Sequence, residues 1–325
     1  MLSRAADTIY WMNRYIERGE NIARFLDVNL QLMLDFPTRT THQWQPLVDA
    51  TGDRALFQER FGAVTPENVV VFLTFDTGNP NSILSCLRAA RENARSVREI
   101  ISCEMWEQVN KFYLMVNTAA SAGGVTEAPH DFLTAVRAAS HLYLGITDAT
   151  MSYGEGWHFG QIGRLVERAD KTSRILNAQY GLLSEGGSDT YTSLGEIQWS
   201  AVLKSASGFE MYRQRYGRIT PLSVADFLIL DREFPRAMHA CVIKVEESLH
   251  AVSGLHQEGF QNAAEARVGH LRTELAGTQI QDIVGRLDDF LNTFQVHLNH
   301  VGDAIFETFF TLHADALNPV KLNQR

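Results

Sequence analysis

Two stretches of this chain are one pattern written twice. RYIERGENIARFLD covers residues 14–27 and RLVERADKTSRILN covers residues 164–177. At an offset of 150 (167 − 17), Arg14 falls on Arg164, Glu17 on Glu167 and Arg18 on Arg168. Glu20 then falls on Asp170, Arg24 on Arg174 and Leu26 on Leu176. A repeat of this length limits the possible folds more than any bulk property does, because both copies must find a place in one architecture.

Two further segments match in the same order. At an offset of 155 (199 − 44), Trp44 falls on Trp199, Phe57 on Tyr212, Arg60 on Arg215 and Gly62 on Gly217. At an offset of 141 (232 − 91), Pro80 falls on Pro221, Arg91-Glu92 on Arg232-Glu233 and Arg95 on Arg236. The drop from 155 to 141 places about 14 extra residues of the first half between Gly62 and Pro80. Apolar residues recur at three- and four-residue spacing through most of the chain. Thr65-Pro66-Glu67 reads as a capped helix start, so residues 69–75 are read as helix rather than strand. Thr220-Pro221 repeats the device. Helix breaks are expected at Phe36-Pro37, Gly123-Gly124, Gly186-Gly187 and Gly254. The predicted fold is all-α: a helical bundle built by tandem duplication of a four- to five-helix unit with pseudo-two-fold symmetry. The repeats would span residues 1–152 and 153–325, with a seam near Ser152 to Trp157, packed as one continuous helical domain.

On a helix of about 100° per residue, Arg14, Glu17, Glu20, Asn21 and Arg24 share one stripe opposite Tyr15, Ile16, Ile22 and Leu26. Glu20 precedes Arg24 by four residues and Asp170 precedes Arg174 likewise, the favourable order for helical ion pairs. Three readings stand side by side: a solvated, self-paired face, a buried network between the halves, or a ligand or partner site. Arg91, Glu92 and Arg95, matched to Arg232, Glu233 and Arg236, add guanidinium groups suited to carboxylate or phosphate, or else a surface salt-bridge network. SYGEGWHFGQIGR (152–164) lacks the spacing of a dinucleotide loop. It reads as a glycine-rich link, or as a helix start with free amides flanked by Trp157 and His158.

The three cysteines, Cys86, Cys103 and Cys241, are widely spaced and suggest free thiols rather than a disulfide or zinc framework. A net charge of −9 argues against a nucleic-acid binder. Apolar runs such as 69–73 are far short of a membrane span, and the first residues do not read as a signal peptide, so the cytoplasm is expected. No zinc-protease, phosphate-loop or hydrolase motif is present. A di-iron bundle would want Glu-x-x-His on two helices. No such pair is read here, and neither a metal nor a cofactor is expected.

SRAADTIYWMNRYIERGENIARFLDVN, NPNSILSCLRAARENARSVREIISCEMWEQVN, DATMSYGEGWHFGQIGRLVERADKTSRIL and FLILDREFPRAM together make the chain similar to the bacterial alpha-E family, from Leu2 to about Leu312. One departure is Gly19, where Ala169 in the second motif represents the expected residue. The resemblance implies an all-helical fold named for its recurring glutamate, here Glu17 and Glu167. It also implies an association with a circularly permuted ATP-grasp protein, with a transglutaminase-like protein and a proteasome-like hydrolase nearby. From it follows the expectation of a non-catalytic helical partner of an ATP-grasp amide ligase, acting in peptide synthesis or protein modification and helping to bind the substrate. The alternative is an enzyme or ligand binder with Glu17 and Glu167 as acid and base, and Arg14, Arg164, Arg91 and Arg232 around an anionic substrate. Oligomeric state is not legible in the chain.

Overall fold

The two motif stretches lie within two long helices, because neither contains a proline or a helix stop over eight turns. In the computed structural model, which describes residues 1–35, 44–123, 129–185, 193–254 and 259–311, α1 runs Ser3–Asp35 and α8 runs Glu155–Glu185. Between them come α2 (Gln45–Thr51), α3 (Arg54–Arg60), α4 (Pro66–Thr74), α5 (Ile83–Ser96), α6 (Cys103–Ser121) and α7 (Pro129–Thr150). After α8 follow α9 (Ser193–Ser205), α10 (Phe209–Arg215), α11 (Pro221–Leu230), α12 (Met238–Ser253) and α13 (Ala263–Gly277). The short α14 (Ile280–Ile283) and α15 (Leu287–Ile305) complete the order, and α15 ends in a π-helical turn, Phe306–Phe310. Among the described residues every regular element is helical, and no helix is long and apolar enough to cross a membrane.

The capped starts form as their sequences dictate. Thr65 Oγ1 accepts the Asn68 amide at 3.2 Å, and Thr220 with Ser223 closes a capping box. Gly254 ends α12 at φ +74, a left-handed conformation suited to glycine. Gly123, just beyond α6, is likewise left-handed at φ +92. The expected breaks at Phe36-Pro37 and Gly186-Gly187, and the residue Gly124, lie outside the described residues. Seven helices precede residue 152 among those described, where periodicity predicts four or five. Of the additional ones, α2 and α3 are seven residues each, too short to display a 3.6-residue period, whereas α4 starts at the cap expected at Thr65.

The third sequence match requires correction. The spacing of 155 does not drop to 141; it persists through α5 and α12. Phe57 and Phe61 stack at 5.6 Å while Tyr212 and Tyr216 stack at 4.8 Å, each pair meeting a ring 155 residues apart, Phe72 or Phe227. Arg60 pairs with Asp76, and Arg215 pairs with Asp231. The Cys86 thiol faces the Pro80 carbonyl, and the Cys241 thiol faces that of Pro235. At this spacing Arg236 falls on Asn81 rather than on Arg95, and the matched contacts need no insertion after Gly62. The offset of 141 is carried by Arg-Glu-x-x-Arg spacing and by no paired contact.

Two apolar cores result. One gathers Ile9, Ile16 and Leu26 of α1 with Trp44, Phe57, Phe72, Phe112 and Tyr143. The other gathers Leu165, Val166 and Leu176 of α8 with Trp199, Tyr212, Phe227 and Phe294. The long helices pack against each other, while α2 packs on α8 and α9 on α1, so the elements of each half reach across to the other's long helix.

Candidate functional site

The charged stripes of α1 and α8 face each other rather than solvent. Glu167, fully buried, accepts from Arg14 Nε at 2.9 Å and from Arg18 Nε and Nη2 at 2.7 and 2.9 Å. Lys171 Nζ stands 3.7 Å away. Glu17, 2% exposed, accepts in turn from Arg168 Nε and Nη2 at 2.8 and 2.9 Å, and from Arg236 Nη1 at 3.1 Å. Each glutamate is thus clasped bidentately by the arginine that follows the other. These guanidinium groups hold both carboxyls well below the usual carboxylate range, although burial alone raises them.

The network continues along the helices. Arg236 Nη2 reaches Glu20 at 2.8 Å, and Arg24 pairs with Glu20 and with the Ser207 hydroxyl. Asp170 receives Arg174 Nε at 2.8 Å and Lys171 at 3.2 Å. Arg18 donates to Asn81 Oδ1 at 2.6 Å, and Asn81 donates to Asp53 at 2.9 Å. Buried charges need such saturation, since an unpaired one costs several kcal/mol.

Close approach of the two helices is what permits this pairing. A methyl at Gly163 would lie 2.2 Å from the Tyr10 carbonyl oxygen, and one at Gly160 would lie 2.9 Å from Asn13 Nδ2. The glycines of SYGEGWHFGQIGR are therefore largely contact residues inside α8, not a link. Their spacing of three and four was the available signal.

Arg164 departs from its counterpart Arg14. Arg14 pairs with Glu167 and lies 4.8 Å over the Trp11 ring. Arg164 has no carboxylate partner among the described residues; it contacts Gln161, and its buried Nε donates to nothing. Burial, with the like charge of Arg168, pushes its guanidinium down to about 10.

Arg164 lines a cleft of about 620 Å³ walled by α1, α6, α7, α8, α12 and the turn before α12. Trp157 and His158 line it too, each with a buried ring N or N–H that lacks a partner. Burial pushes the His158 imidazole down, toward its neutral form. Arg168, Arg232 and Glu233 complete the sequence-predicted residues that meet here. Asp148, which opens the stretch DATMSYGEGWHFGQIGRLVERADKTSRIL, also lines it but was not singled out, and Lys244 and Glu247 lie in no motif.

The other candidates do not converge on this cleft. Arg14, Glu17, Arg18, Arg24, Glu167, Asp170, Arg174 and Arg236 belong to the interhelical network. Arg91 binds Asn110 at 2.7 Å and Glu92 at 3.1 Å, and Arg95 binds Glu92 at 2.7 Å, a local surface cluster of α5. Glu-x-x-His spacing does occur, at Glu155 to His158 and Glu247 to His250, and at Glu127 to His130, where Glu127 lies outside the described residues. The reading of the sequence as lacking it is corrected. Among the described residues, however, no three or more His, Cys, Asp or Glu side chains group as metal ligands would.

A family model, Alpha-E, described as a predicted alpha-helical domain with a conserved ER motif, matches residues 1–310. The chain's Glu17-Arg18 and Glu167-Arg168 are such dipeptides. The chain is similar to an uncharacterized protein of Mycobacterium bovis, 21% identical over 305 residues, which cover 86% of this chain and 33% of that protein. Uncharacterized proteins of two Mycobacterium tuberculosis strains match at 21% and 20% over the same length. The chain thus spans about one third of the length of these curated relatives. No solved structure matches it.

Proposed function

This chain belongs to the Alpha-E family, and from that premise we propose that it is a non-catalytic helical partner of a circularly permuted ATP-grasp amide ligase in a bacterial peptide synthesis or protein modification system. In this reading it is a cytoplasmic scaffold that helps hold the ligase's substrate, with a transglutaminase-like protein as a further associate. It arises from a tandem duplication of one helical unit, residues 1–152 and 153–325, related by a pseudo-two-fold axis. The observation that carries the reading is the reciprocal clasp of Glu17 by Arg168 and Glu167 by Arg18. The motif helices are thereby engaged with each other, so their role is to hold the fold, and substrate contact is left to the cleft beside them.

The test is co-elution of this chain with the ATP-grasp protein on a sizing column, with and without ATP and peptide. A stable complex is expected. Separate elution of two folded proteins under all of these conditions overturns the reading. A second reading, a binding protein or enzyme of the same system with an Arg/Glu-lined site for an anionic substrate, draws on one observation: Arg164 faces the cleft without a carboxylate partner.

A further inference from the structure

The asymmetry between the two motif helices has a local cause. Glu167 is neutralised by Arg14, Arg18 and Lys171, while Asn81 occupies the position corresponding to Arg236. Around Glu17 the positions are exchanged: Asn21 stands where Lys171 stands, and Arg236 stands where Asn81 stands. Arg236 enters from the turn before α12, donates to Glu17, Asn21 and Glu20, and is buried. With Arg168 and Arg236 both on Glu17, Arg164 is left over. Its side chain turns to the cleft wall, where Gln161 is its only hydrogen-bond partner among the described residues.

We propose that Arg164 is the carboxylate-binding residue of a peptide subsite, and that the cleft beside it takes one aliphatic side chain of that peptide. The inference rests on the cleft being the substrate-contact surface proposed above. A guanidinium presents a planar fork that matches a carboxylate. Ile9, Leu144, Met151 and Leu165 provide an apolar wall adjoining it, and Trp157 lies beside them. The volume lies within the range of about 300–1,000 Å³ for ligand pockets. Arg232 lines the cleft as well, and Asp148, Glu233 and Glu247 balance it, so a singly charged carboxylate beside an apolar side chain matches this mixed lining more closely than a dianionic phosphate does. Lys244 is already engaged with Glu247 at 2.7 Å.

The experiment is calorimetric titration of the full chain with N-acetyl-Leu-Leu bearing a free carboxylate, and with its C-terminal amide. The acid is expected to bind at least tenfold more tightly than the amide, and Arg164→Gln is expected to remove that difference. Arg164→Lys, which keeps the charge but loses the fork, is expected to fall between. Binding of the acid also changes tryptophan fluorescence, a signal lost in Trp157→Phe. Equal affinity for acid and amide, no binding of the acid at millimolar concentration, acid binding unchanged in folded Arg164→Gln, or tighter binding of inorganic phosphate would each overturn the proposal. The acid-to-amide comparison uses the unmodified protein, so misfolding of a variant leaves it decisive. Co-elution with the ATP-grasp protein without probe binding removes only this inference, whereas probe binding without co-elution removes only the partnership.

Discussion

Around Glu167 three cations converge from α1 and α8, and Arg14 is one of them. Around Glu17 a cation comes from outside both helices, and the counterpart of Arg14 faces a cleft. The same Arg-x-x-Glu-Arg pattern thus produces a closed site in one place and an open one in the other. The difference lies at two exchanged positions, Asn81 and Lys171 around Glu167 against Arg236 and Asn21 around Glu17. A motif fixes which charges must be neutralised, but its neighbours decide which member of the motif is released from that task.

The largest effect expected from breaking this comparison is at the glutamates. Glu17→Gln leaves Arg168 and Arg236 buried against a neutral amide, and Glu167→Gln does the same to Arg14 and Arg18. Each should cost about 3–5 kcal/mol in urea denaturation, since Glu167 holds Arg14, Arg18 and Lys171 and Glu17 holds Arg168 and Arg236. A cost below about 1 kcal/mol at either position, the level of a surface pair, would show that the clasp does not hold the helices together. The same groups set the acid limb of stability. Their folded-state pKa values lie below an unfolded value near 4.5, so their contribution is full above about pH 5 and is lost as pH falls through the depressed folded values. A melting-temperature profile from pH 7 to pH 3 should decline in the wild type and flatten in the double Gln variant.

Next comes Arg236→Asn, which gives the second site the residue of the first. It removes charge-assisted hydrogen bonds to Glu17 and Glu20, and should cost about 1.5–3 kcal/mol. Arg164 is then free to turn to Glu17, so the preference for the peptide acid over its amide should shrink. An unchanged preference would show that Arg236 does not set the position of Arg164. Gly163→Ala should cost about 1–3 kcal/mol by forcing α8 off the Tyr10 carbonyl; a neutral result would mean that the two long helices part easily.

The smallest effect is a gain. Gly19 sits inside α1 where Ala169 sits inside α8, and an added methyl there meets only Ile83 Cγ2 at 3.9 Å, an ordinary contact. Gly19→Ala should therefore stabilise by about 0.5–1 kcal/mol. A loss would show that α1 needs flexibility at that point.

The all-helical class, the long motif helices and the capped starts at Thr65 and Thr220 were legible because each rests on local rules. The partition of charge was not. Arg14 and Arg164 open the same Arg-x-x-Glu-Arg pattern, with Trp11 three residues before one and Gln161 three before the other, but the residues that share their glutamates, 81 and 236 among them, come close only after folding. The offset of 141 misled for the same reason: it matched identities along α5 against α11 and the turn after it, and left the caps at Thr65 and Thr220 unpaired. The cleft was legible only in part: Trp157, His158, Arg164 and Arg168 share one quoted stretch, but Lys244 and Glu247 come from α12, which carries no motif.

The reciprocal clasp also bears on how the chain is made. Residue 17 is synthesised 219 residues before residue 236 (236 − 17). At about 5–20 residues per second, roughly 10–40 s pass on the ribosome before Glu17 meets its second arginine. For most of that interval Glu17 lacks both of its arginines, since Arg168 is itself made 151 residues later (168 − 17). The nascent first half must wait exposed, and the arrival of α8 and of the turn before α12 is the event that closes it.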